Sequence, residues 1–185
     1  MNRRVGVYPG TFDPIHQGHL AFCLEVIERG EVDEIILLPE RMPRGKPNVT
    51  SLSERLVLLS EAIVPFPFMR ATCLASDQFT VKETLPELNE AFKGATLSLL
   101  IGSDVVSSLG SWKGLDRLLD TMSLIIGMRQ ADAVGEIRAV VEQIGQTQGK
   151  SIRYSMIETA HADVASSRIR RGEMAVDFEM LRQRV

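Results

Sequence analysis

Apolar runs are short throughout this chain. Nowhere in its 185 residues is there a segment near the roughly 20 apolar residues that a membrane helix needs. The N-terminal Met1-Asn2-Arg3-Arg4 leads straight into a strand pattern, without the hydrophobic segment of a secretory signal. No membrane association is expected, and the reading is a cytoplasmic protein. Cysteine is scarce. Cys23 falls in a helical pattern and Cys73 in a strand pattern, too far apart for a redox motif, so both are expected to be reduced, buried small hydrophobes. Histidine occurs only at His16, His19 and His161. Zinc sites on helices favour i, i+4 pairs with further ligands close by, so no metal ligand is expected from the protein. An excess of positive charge is missing as well: the formal net charge of −3 gives no support for bulk binding to nucleic acid or an anionic membrane.

What is present is an ordinary globular composition, 44% hydrophobic and 24% charged, in a length that fits one domain over residues 1–185. Strand and helix patterns alternate. Val5 to Tyr8 reads as a strand, with a helical pattern from Leu20. Asp33 to Pro39 holds the run Ile35-Ile36-Leu37-Leu38, suited to a strand buried on both faces. Ser51 and Glu54 have capping-box spacing and open a helix to about Val64, where Pro65 and Pro67 end it.

Further on, Met69 to Ser76 reads as a strand, Val81 to Phe92 as a helix and Leu97 to Ile101 as a strand. Short helices flank Gly110-Ser111-Trp112. Ser123 to Met128 (strand), Asp132 to Gln146 (helix) and Ile152 to Ile157 (strand) follow, with two C-terminal helices from about Ser166 and Asp177. Such alternation predicts an α/β fold, a doubly wound Rossmann-like parallel sheet with a small C-terminal helical segment.

The densest chemistry lies in Gly10-Thr11-Phe12-Asp13-Pro14-Ile15-His16-Gln17-Gly18-His19, between a strand and a helix. This arrangement sets two imidazoles on one face of a helix N-terminus, where free N–H groups and the helix dipole favour phosphate. Cations cluster at Arg41 to Lys46 and at Arg168 to Arg171, which suggests a focused anionic ligand. In parallel sheets, ligands bind beyond the carboxyl ends of the strands at the switch in strand order. The loops carrying His16 and His19, Arg41 to Lys46, Gly102 to Asp104 and Arg129 all follow strands, and so are expected to converge there. G-x-G-x-x-G and Walker A patterns are both absent.

Gly10 to His19 resembles the signature of the HxGH nucleotidylyltransferases. Leu100-Ile101-Gly102-Ser103-Asp104 with Trp112, Leu124-Ile125-Ile126 leading to Arg129, and Ala165-Ser166-Ser167-Arg168-Ile169-Arg170 resemble the nicotinate-nucleotide adenylyltransferases within that group. The resemblance implies adenylyl transfer from ATP to nicotinate mononucleotide, in preference to the nicotinamide form, with Mg²⁺ bridging the triphosphate. It implies that His16 and His19 contact ATP phosphates, His19 at the α-phosphate, with Lys46 as a mobile charge. Gly10, Thr11, Phe12 and Gly102 would line ATP, and Ser166, Ser167 and Arg170 would hold its outer phosphates. Asp104 would sit near the sugars, Trp112 would stack on the acceptor ring, and Thr80, Thr84 and Arg129 would complete the acceptor side.

Three departures stand out. Phe79-Thr80-Val81-Lys82-Glu83-Thr84-Leu85 has Phe where the family pattern has Tyr, and one extra residue; Gly45 replaces the usual His before Lys46; and Tyr8-Pro9-Gly10 looks more like phosphopantetheine adenylyltransferase. That enzyme, and a nucleotide-binding module without turnover, are the alternatives. The sequence leaves a homo-oligomer open.

Overall fold

The computed structural model describes residues 2–129, 133–159, 164 and 166–184. Its sheet has six parallel strands: β1 (Arg4–Gly10), β2 (Glu34–Pro39), β3 (Met69–Ala71), β4 (Thr96–Gly102), β5 (Met122–Met128) and β6 (Tyr154–Glu158). The order is β3-β2-β1-β4-β5-β6, so the chain first winds outward from β1, then returns to β4 and winds the other way. The switch point lies between β1 and β4, where Val5 pairs with Leu97 and Val7 with Leu99.

Continuous apolar strands are what a sheet covered on both faces requires. Alternate side chains serve opposite layers. Leu99 and Ile101 join one core with α3 (Val81–Ala91), α4 (Ser103–Leu109), α5 (Leu115–Thr121) and α6 (Val134–Gln148). Leu100 joins the other, with α1 (Gln17–Glu28) and α2 (Leu52–Ile63). Two short C-terminal helices follow, α7 (Ser166–Arg170) and α8 (Glu179–Arg182). Arg184, just beyond α8, pairs with Glu25 at 2.9 Å and Glu28 at 2.5 Å, which ties the chain end to α1.

The doubly wound sheet matches the expectation, and three details correct it. β3 stops at Ala71: the Thr72 N–H still reaches the Leu37 carbonyl at 3.1 Å, and the chain then turns away along Ser76-Asp77, residues that favour turns. Cys73 consequently lies in a loop and is only half-buried, whereas Cys23 is fully buried in α1. The first helix starts at Gln17 rather than Leu20, which makes His16 its N-cap. Of the sequence features named above, Asp132, His161 and Ala165 lie outside the described residues. Among the described residues no helix is long and apolar enough to cross a membrane.

Candidate active site

A cleft of about 720 Å³ opens at the carboxyl ends of β1, β2, β4 and β5, over the switch point. The first wall is the loop leaving β1. Phe12 adopts φ +47°, a left-handed conformation rare for a side chain of its size, and its ring is buried. The ring packs edge-on to Tyr8 at 5.5 Å and to His19 at 5.1 Å. Gly10 suits that packing, since a Cβ there would lie 3.0 Å from the Phe12 ring, a tight contact.

His16 caps α1 and His19 is its third residue, with ring centroids 3.7 Å apart. The backbone N–H of His16 donates to His19 Nδ1 at 3.3 Å. A neutral ring that accepts at Nδ1 carries its proton on Nε2, so His19 offers an N–H from its other nitrogen. Burial, reinforced by the Arg129 charge, pushes the His16 pKa down to about 4. Burial also holds His19 well below the ordinary histidine value, with His16 and Lys46 adding to the effect. Both rings are therefore neutral near pH 7, and His16 Nδ1 is buried without a hydrogen-bond partner among the described residues.

Around this pair the other loops bring charge. Lys46 donates to Thr11 Oγ1 at 2.8 Å, joining the β2 loop to the β1 loop. Gly45 before it has φ +68°, a left-handed conformation that glycine adopts without steric cost. Asp104, in the first turn of α4, pairs with Arg129 beyond β5 at 2.9 Å. Ser166 donates to the Pro14 carbonyl at 3.0 Å, and Arg170 bonds the Asp13 carbonyl and lies 3.5 Å from its carboxylate. These contacts dock α7 onto the loop that carries the histidines. Among the described residues lining the cleft, Arg44, Lys46, Arg129 and Arg170 oppose Glu40 and Asp104, a cationic balance in a chain of net charge −3. Such a cleft attracts anions.

Gly10, Thr11, Phe12, Gly102, Trp112, Ser166 and Ser167 line the same cleft. Thr80 and Thr84, expected on the acceptor side, are not among its lining residues. Thr80 Oγ1 accepts from the Glu83 N–H at 3.2 Å as the cap of α3, and fully buried Thr84 accepts from the Thr80 N–H at 3.0 Å. Their hydroxyls are committed to starting a helix. Phe79 faces the cleft instead, its ring centroid 6.0 Å from that of Trp112, with its N–H held by Glu40 at 3.0 Å.

Sequence reasoning gave no role to Glu40 or Arg55, and it named Arg44 only within the Arg41 to Lys46 cluster and Asp13 only within the Gly10 to His19 segment. Arg55 is 1% exposed and donates to the carbonyls of Thr50 (2.9 Å), Thr11 (2.6 Å), Glu40 (2.8 Å) and Arg41 (3.3 Å). Its signal was available: Arg55 shares the buried stripe of α2 with Leu59 and Ala62, at helical spacing.

The cytidylyltransferase-like family profile matches residues 7–172. The probable nicotinate-nucleotide adenylyltransferase of Clostridium perfringens is 28% identical over 174 residues, covering 91% of this chain and 85% of its own. That of Rubrobacter xylanophilus is 29% identical, covering 91% and 79%. Among solved structures, the nicotinic acid mononucleotide adenylyltransferase of Plasmodium falciparum complexed with NaAD superposes with a TM-score of 0.74 at 19% identity, over 92% of this chain and 83% of that one. At that identity the likeness concerns the fold.

Proposed function

The chain belongs to the cytidylyltransferase-like family, and on that footing we propose that it is a nicotinate-nucleotide adenylyltransferase, an ATP-using enzyme of NAD biosynthesis. Relatives of that name match over 91% of the chain, which supports the substrate pair. The same reading takes residues 1–185 as one nucleotidylyltransferase domain, supported by the one six-stranded sheet among the described residues, and assigns it to the cytoplasm.

In the reaction a phosphate oxygen of nicotinate mononucleotide attacks the α-phosphorus of ATP. The bond from that phosphorus to the α,β-bridging oxygen breaks, and pyrophosphate leaves with the electron pair. The attacking oxygen is already ionised near neutral pH, so no general base is needed. Catalysis then rests on in-line placement and on donors aimed at developing charge. In this reading His19 Nε2–H meets the α-phosphate, with His16 beside it. Lys46 moves from Thr11 onto the phosphates, and Arg170 with Ser166 and Ser167 holds the leaving group. Trp112 and Phe79 flank the acceptor ring, and Asp104 with Arg129 lies towards the sugars.

Mg²⁺ belongs to the substrate side of this proposal. Glu40 is committed to the Phe79 N–H and Asp104 to Arg129, and no three His, Cys, Asp or Glu side chains gather as a metal site among the described residues. A cation carried by the triphosphate fits such a lining, because Mg²⁺ keeps waters and takes ligands from phosphate. When bound it would neutralise charge on the departing pyrophosphate.

The observation that carries the proposal is the imidazole pair at the tip of α1, with the His19 tautomer set by the His16 N–H. Pyrophosphate release with ATP and a panel of acceptors tests it. Release with nicotinate mononucleotide, slower with the nicotinamide form and none with phosphopantetheine, is expected. No release with any acceptor, or release with phosphopantetheine alone, overturns it.

A further inference from the structure

We propose that Arg55, which lies behind the cleft wall, is a positioning residue that aims the Thr11–Phe12 peptide N–H at the α-phosphate. The inference rests on the ATP reading above. It begins with a physical oddity. Arginine cannot shed its charge in a protein, and burying a charge is costly unless its hydrogen bonds are satisfied. A leucine on the buried stripe of α2 would pack there without that cost. Arg55 is nevertheless 1% exposed, and burial pulls its pKa down while Asp13 and Glu40 oppose the shift.

All four of its hydrogen-bond acceptors are main-chain carbonyls, drawn from three segments: Thr11 after β1, Glu40 and Arg41 after β2, and Thr50 before α2. The fork geometry of a guanidinium suits such a junction, and an ammonium does not. One side chain thereby ties together the two loops that carry the imidazoles and Lys46.

The contact with Thr11 has a directional consequence. Among the described residues the one cis peptide is Asp13–Pro14, so the Thr11–Phe12 peptide is trans and its C=O and N–H point to opposite sides. Arg55 holds the carbonyl at 2.6 Å. The Phe12 N–H therefore points away from Arg55, and because Thr11 and Phe12 line the cleft while Arg55 does not, the proposal places that N–H on the ligand side. Phe12 sits at φ +47°, a conformation that persists only when its surroundings hold it. Its packed ring supplies one restraint and Arg55 the other. A main-chain N–H fixed in such a turn is a donor for an anion, and a cation bonded to the carbonyl of the same peptide strengthens it.

Two measurements test the proposal. Arg55→Lys and Arg55→Met are assayed well below their melting temperatures, so that folded protein is compared with folded protein. Both are expected to lose about 100-fold in kcat, the scale of one lost preorganised donor, with the KM for nicotinate mononucleotide unchanged. A merely structural arginine would lower the melting temperature and leave kcat intact under those conditions, and that result overturns the proposal.

Amide NMR of the unmutated chain with α,β-methylene ATP decides independently of whether the variants fold. The Phe12 amide resonance is expected to shift with the analogue. A Phe12 amide that stays still while the His19 ring signals move overturns the role of Arg55 and leaves the ATP reading standing. If neither moves, the ATP reading itself falls, and this proposal with it.

Discussion

The backbone N–H of His16 donates to Nδ1 of His19 at 3.3 Å, so the start of α1 sets the protonation of a ring that lines the cleft. His16 occupies the N-cap and His19 the third helical position, the reach-back geometry of a capping box. A helix that satisfies one of its own end groups in this way also presents Nε2–H outward as a fixed donor. The pair does two jobs with one contact.

Replacing His19 therefore affects turnover before binding. His19→Ala is expected to lower kcat by about 100- to 1000-fold with a smaller change in the KM for ATP, since the contact strengthens as charge develops on the α-phosphate. His19→Gln should retain more activity than His19→Asn. The Gln amide nitrogen reaches the Nε2 position, and the Asn amide only the Nδ1 position. Steady-state kinetics at saturating acceptor distinguishes them.

Stability falls on the acid side for the same reason. A histidine with a depressed pKa in the folded state contributes fully above its unfolded value near 6.5, and the contribution is lost as pH falls through the folded value. For His16 that window runs from about 6.5 down to about 4, and the loss is about 3 kcal/mol. Urea denaturation of the ligand-free protein at pH 7.5, 5.5 and 4.5 should show this slope, and His16→Asn should reduce it, leaving the part that His19 contributes.

Trp112 and Thr80 should separate cleanly. Trp112→Ala is expected to raise the acceptor KM about tenfold while leaving the KM for ATP alone. Thr80→Val should leave both constants unchanged and cost about 1 kcal/mol of stability, the value of a lost helix cap. Kinetics paired with chemical denaturation of both variants checks the assignment.

Restoring the family's histidine at position 45 should not help. Gly45 has open space around it but φ +68°, so Gly45→His meets backbone strain rather than a clash and should destabilise by about 1 kcal/mol. Thermal denaturation reads that loss directly.

Much of this was legible in the chain. The apolar runs of β2, β4 and β5 announced buried parallel strands, and Ser51 with Glu54 marked the start of α2. Loops that follow parallel strands meet at one sheet edge whatever their sequence separation, which is why His16, Lys46, Asp104 and Arg129 share a cleft. What stayed hidden depends on tertiary contacts. A threonine four residues from another looks the same whether it caps a helix or touches a ligand. β3 pairs with β2 alone, at the sheet edge, and the apolar pattern to Ser76 does not report that its pairing stops at Ala71. Helical spacing places Arg55 on the buried stripe of α2, but only the folded chain shows the loops after β1 and β2 closing over its guanidinium.

The central claim is that the imidazoles at the tip of α1 receive the innermost phosphate of ATP. A crystal structure with α,β-methylene ATP tests it most directly. The account predicts the α-phosphate within about 3 Å of His19 Nε2, with the outer phosphates beside Arg170. A triphosphate bound away from the β1–β4 switch point, or one whose α-phosphate makes no contact with either ring, would contradict it.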